Sequence, residues 1–152
     1  MAQIPLIIAQ YEIEGHRNGP DYKHWAIVAM YSKNVADIFE LRGDMHSFEY
    51  SPRRVMHFSA SKRLCGGYYV GTIHSTQVGW LQGKLREVPI QKFNVQWDCQ
   101  SWVLDALLVV RESAQGIITE NIGRAHIQGE LDREFERWQY GRATVEDRLF
   151  PN

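Results

Sequence analysis

The run Asp98-Cys99-Gln100-Ser101-Trp102-Val103-Leu104-Asp105-Ala106-Leu107-Leu108-Val109-Val110 decides how this chain is read. Cys99, Trp102, Val103, Ala106, Leu107 and Val110 recur at helical spacing, so one side of a helix is apolar along its length. Asp98 stands just ahead of it, where a short carboxylate accepts hydrogen bonds from first-turn N–H groups. A helix with such a stripe must bury it against another layer of structure.

The preceding residues supply that layer. Stretches 5–12, 23–31, 35–41, 54–60 and 68–74 are rich in β-branched and aromatic residues and read as strands. Turn formers at 15–20, 32–34 and 42–44 separate them. Val78, Leu81 and Leu85 share one side of a short connecting helix at 78–86, which stops before Pro89. A last helix at 130–140 sets Leu131, Phe135 and Trp138 opposite a face of mixed charges, with Gly141 as its stop. The expected architecture is α+β, an antiparallel sheet packed against the helix that carries Cys99 at its N-terminus, in a single domain over residues 1–152.

Composition narrows the function. A chain of 152 residues, 44% hydrophobic and 23% charged, has the balance of a globular protein rather than a disordered one. Its net charge of −1 comes without any run of like charges, so nucleic acid is not an expected partner. No apolar stretch is long enough to span a bilayer, and the first ten residues lack the basic region of a secretory leader, so a cytoplasmic location is expected. In that reducing compartment Cys65 and Cys99 are expected to be free thiols. No pair of the six histidines has metal-ligand spacing, and neither a metal nor another cofactor is expected.

Cys99 opens its helix, where the macrodipole and unpaired N–H groups favour a thiolate and can receive an oxyanion. A cysteine on the apolar stripe of a core helix also fits a packing residue. A nucleophilic thiol needs a base. His24, in Lys23-His24-Trp25-Ala26-Ile27-Val28, opens a strand that can hold an imidazole against a helix start. His16, His46, His57, His74 and His126 read as surface or structural residues. Trp25 and Trp97 flank the His and the Cys and are candidates for the wall of a substrate slot, while Trp102 reads as core. Cys65-Gly66-Gly67 reads as a β-bulge or tight bend rather than a phosphate-binding turn.

The run His24-Trp25-Ala26-Ile27-Val28, the following Asp37-Ile38-Phe39-Glu40-Leu41 and the later Trp97-Asp98-Cys99-Gln100-Ser101-Trp102-Val103 together resemble the circularly permuted papain-like superfamily. That group includes the NlpC/P60 peptidases and the lecithin retinol acyltransferase-like proteins, in which a strand His precedes a helix-capping Cys in the chain. The order of strand, turn and helix is also similar to that of small fungal proteins of unassigned function. The resemblance implies a permuted papain-like fold and a Cys-His-acid/polar triad of Cys99, His24 and Glu40, with Asp37 and Asp44 as alternatives for the third member. It further implies Tyr22 and Tyr11 as donors to an oxyanion. The implied activity is a thiol hydrolase or acyltransferase on an amide, ester or thioester of a small molecule or peptide. Hydrolysis, deamidation and transfer share the nucleophilic step and stay open, as does the oligomeric state. The alternative is an inactive member of the fold that binds a small molecule or a partner protein.

Overall fold

The computed structural model describes residues 2–13, 22–114 and 116–151. Five strands, β1 (Gln3–Glu12), β2 (Lys23–Met30), β3 (Ala36–Arg42), β4 (Glu49–Val55) and β5 (Leu64–His74), form one antiparallel sheet in the order β4-β3-β2-β1-β5. Four helices follow: α1 (Val78–Arg86), α2 (Cys99–Ser113), α3 (Arg124–Gln139) and α4 (Val145–Leu149). The class is α+β. The expected turn at 15–20, with His16, lies outside the described residues.

Strand alternation sends β2 residues Trp25, Ile27 and Ala29 into one core and Ala26, Val28 and Met30 into another. The first core is closed by Val78, Leu81 and Leu85 of α1, Trp102, Val103, Ala106, Leu107 and Val110 of α2, and Ile127 and Leu131 of α3. The second is closed by Phe58, in a 3-10 turn, and Val145 of α4. The stripe of α2 is buried along its whole length, as its spacing predicts.

Four elements depart from the expectation. The strand expected at 54–60 lies at Glu49–Val55 and includes Pro52, and Phe58–Ala60 is a 3-10 turn. Proline is admitted because β4 is an edge strand, where a missing N–H costs no ladder bond. β5 begins at Leu64, ahead of the glycine pair. Gly66 has φ +92 there, where the β1–β5 register slips between Ala9 and Tyr11, so the pair does form a bulge. α3 begins at Arg124, a turn and a half before the expected start, and α4 is an addition.

The sheet also divides. The β2–β3 ladder runs from Met30↔Ala36 to Ile27↔Phe39 and stops. Beyond that point residues 23–26 stay paired to β1 alone, through Tyr11↔His24 and Glu12↔Lys23. Residues 40–42 stay paired to β4 alone, through Glu40↔Ser51 to Arg42↔Glu49. Between these two prongs opens a cleft of about 800 Å³.

Candidate active site

The start of α2 meets the prong formed by β2. Asp98 caps the helix through Oδ1, which accepts from the Gln100 and Ser101 N–H groups at 3.0 and 3.1 Å, while Ser101 Oγ accepts from the Asp98 N–H at 3.1 Å. Gln100 Nε2 donates to the Lys23 carbonyl at 2.8 Å, tying the first turn of α2 to the residue before His24. Cys99, 7% exposed, lines the cleft with His24 and Glu40.

His24 and Glu40 reach the cleft from opposite prongs and meet, Nε2 to Oε1, at 2.7 Å. Glu40 thus occupies Nε2 of the ring. Burial opposes a charged imidazole at this position. Hydrogen bonding to the Cys99 thiol and to Glu40, with the charges of both, outweighs that burial and raises the His24 pKa to about 9. Glu40, although buried, is held below the usual carboxylate range by His24 and by Arg53, whose Nε donates to Oε2 at 3.0 Å.

Tyr22 also reaches the thiol. Its hydroxyl lies 3.6 Å from Cys99 Sγ and donates to Asp98 Oδ2 at 3.0 Å. Burial raises the Tyr22 pKa, and the neighbouring Cys99 and Asp98 raise it further, so the phenol keeps its proton and remains a donor. Trp97 lines the cleft too, with its indole Nε1 donating to Asp105 at 3.1 Å and its ring set edgewise on Phe48.

The structure thus brings together Cys99, His24, Glu40, Tyr22 and Trp97. Tyr11 lines the same cleft, with ring centroids 6.2 Å from His24, but its hydroxyl is buried. Trp25 departs from the expected slot wall: it is 0% exposed and lies in the core beneath α2. Adjacent residues of a strand face opposite sides, so the neighbour of a cleft histidine is a core residue. A second correction concerns the helix N-terminus. Asp98 occupies the Gln100 and Ser101 N–H groups, and Trp102 N–H goes to the Asp98 carbonyl, leaving Cys99 N–H as the first-turn donor not taken by Asp98.

Of the other acids considered, Asp37 pairs with Arg54 at 2.8 Å and with the Tyr31 hydroxyl at 2.6 Å, and Asp44 caps its own turn through the His46 N–H. His46, His57 and His126 are exposed and His74 is half-buried. Both cysteines are free. Cys65 is fully buried, with Sγ 3.4 Å from the Gln10 carbonyl, and burial pushes its pKa up to about 12. Sequence reasoning missed Gln100 and Arg53: a polar residue within a helix and an arginine on an edge strand carry no local mark of what they hold. Among the described residues no group of three or more His, Cys, Asp and Glu is placed to hold a metal ion, and no helix is long and apolar enough to cross a membrane.

No curated protein and no solved structure matches the chain. One family model does match it, over residues 10–118, from β1 through α2 and therefore across every residue of the cleft named above. The chain belongs to that family, described as a family of unknown function (DUF6540).

Proposed function

We propose that the chain is a cysteine-nucleophile enzyme of permuted papain-like architecture, a thiol hydrolase or acyltransferase acting on an amide, ester or thioester of a small molecule or peptide. The observation that carries this reading is the 2.7 Å contact between His24 Nε2 and Glu40, made in the cleft that Cys99 also lines at the start of a helix. An imidazole oriented through one ring nitrogen and facing a thiol through the other is the arrangement that activates a cysteine.

The steps follow from the residues. His24 takes the thiol proton and Cys99 Sγ attacks the carbonyl carbon. The Cys99 N–H and the Tyr22 hydroxyl stabilise the oxyanion, the phenol turning from Asp98 Oδ2 to do so. His24 then protonates the leaving amine, alcohol or thiol as the tetrahedral intermediate collapses to an acyl-cysteine. Water or another acceptor, deprotonated by His24, attacks that acyl group and releases Cys99. The low exposure of Cys99 favours a second reading, a non-catalytic member of the fold whose cleft binds a small molecule or partner protein.

The two separate in one experiment, the pH dependence of iodoacetamide labelling at Cys99 in the folded protein with His24→Ala alongside. Labelling that persists well below the ordinary thiol pKa of about 8.5 and disappears in the variant supports the enzyme. Labelling that follows an ordinary thiol in both proteins rejects it.

A further inference from the structure

Glu40 brings a buried charge to the cleft, its side chain only 5% exposed. A carboxylate in that setting needs a donor on each oxygen, or it takes up a proton. Oε1 has His24 Nε2 at 2.7 Å and Oε2 has Arg53 Nε at 3.0 Å. The second donor comes from a different strand. Glu40 is opposite Ser51 and Ile38 is opposite Arg53, so Glu40 and Arg53 are diagonal neighbours on one face of the β3–β4 ladder. The Arg53 side chain is 44% exposed, with its Nε turned inward onto the buried carboxylate.

Once the thiol ionises, the charges in this row alternate in sign: Cys99 thiolate, His24 imidazolium, Glu40 carboxylate, Arg53 guanidinium. We propose that Arg53 is a positioning residue for this cleft, holding Oε2 so that the Glu40 carboxylate keeps its charge and its plane and His24 stays turned to Cys99. The proposal rests on the nucleophilic reading of Cys99. Its physical content concerns where one proton resides. A buried carboxylate alone with an imidazolium can take the imidazolium proton and leave a neutral pair, which removes the cation that a thiolate needs. A guanidinium on the second oxygen opposes that transfer. Around the His24–Glu40 pair stand Tyr11 from β1, Arg53 from β4, Tyr22, Cys99 at the start of α2 and Asp98 just before it. Glu12, Arg42, Asp44 and Arg63 line the same cleft, and Glu146 of α4 acts on Tyr11. The cation that donates to Glu40 from β4 is Arg53.

The test is the pH–rate profile of iodoacetamide at Cys99 in the full chain, comparing wild type, Arg53→Gln, Arg53→Lys, Glu40→Gln and the Arg53→Gln/Glu40→Gln double variant, with folding checked by thermal melts. Arg53→Gln is expected to slow labelling at neutral pH about tenfold and to move the acid limb up by about one pH unit. Arg53→Lys is expected to return the limb toward its wild-type position, because one cationic donor on Oε2 suffices. In the Glu40→Gln background Arg53→Gln is expected to change nothing further. An Arg53→Gln profile that superposes on wild type overturns the proposal, as does additivity of the two substitutions. A wild-type protein without an acid-shifted limb defeats the nucleophilic reading itself, and the Arg53 role falls with it. That failure is seen before any variant is made.

Discussion

The two cysteines of this chain are both buried and stand in opposite surroundings. Cys65 sits in β5 beside a bulge, its sulfur against the Gln10 carbonyl, and burial drives its pKa up to about 12. Cys99 is nearly as enclosed, but its surroundings are a helix start, an imidazole fixed by a carboxylate, a phenol 3.6 Å away and a cleft. What a buried thiol can do depends on whether the groups around the sulfur offset the burial, and around Cys65 they do not.

The largest expected consequence is in reactivity. In the native protein at pH 7 Cys99 should label with iodoacetamide at least about a thousandfold faster than Cys65, since Cys65 at its raised pKa is almost wholly thiol. Peptide mass analysis of partly labelled protein reads the ratio, and equal labelling breaks the contrast. Next, His24→Ala should slow Cys99 labelling at neutral pH about a hundredfold while leaving Cys65 unchanged. A fall at both sites means the substitution loosens the fold rather than removing a base.

Stability should sort the cysteines in reverse order. Cys65→Ser places a hydroxyl in the core and is expected to cost about 1 to 3 kcal/mol. Cys99→Ser, at the cleft with Tyr22 within reach, should cost less than about 1 kcal/mol. Denaturant midpoints compare them, and a larger loss at Cys99 marks it as the packing residue. Stability should also depend on pH. The His24 pKa is raised in the folded state from 6.5 to about 9, so its contribution to stability is complete below pH 6.5 and is lost as pH rises through 9. The difference in Tm between wild type and His24→Ala should therefore shrink between those values. A constant difference would show that His24 exchanges no proton with the fold.

Much of this was legible in the residues, and the gaps have physical causes. α2 was readable because an apolar stripe and an Asp cap are both local signals. β4 was displaced by Pro52, since nothing local says that a strand will sit at an edge. The first turns of α3 were missed because Ile127 is their one buried residue, and α4 because five residues are too few for a period. At the site, Cys99 and His24 stood out by residue type. Trp25 misled because nearness in sequence is not nearness of side chains on a pleat. Arg53 stayed hidden because its partner is set by strand register, which no single segment contains.

Gly71 carries a last consequence. A Cβ there would run into the Ile117 carbonyl, so the glycine lets residues 117–119 lie across β5, with Thr72 N–H donating to Ile117 and Thr119 N–H to Val70, each at 3.0 Å. The chain leaving α2 is stitched to the sheet at that crossing, and the chain entering it is bolted to β2 by Gln100. Mechanically, α2 is a beam whose first turn is fastened to the sheet and whose outgoing chain is tied down four residues past its end. The first turn, which frays readily in most helices, is the fastened one here, and it is the turn that carries the sulfur.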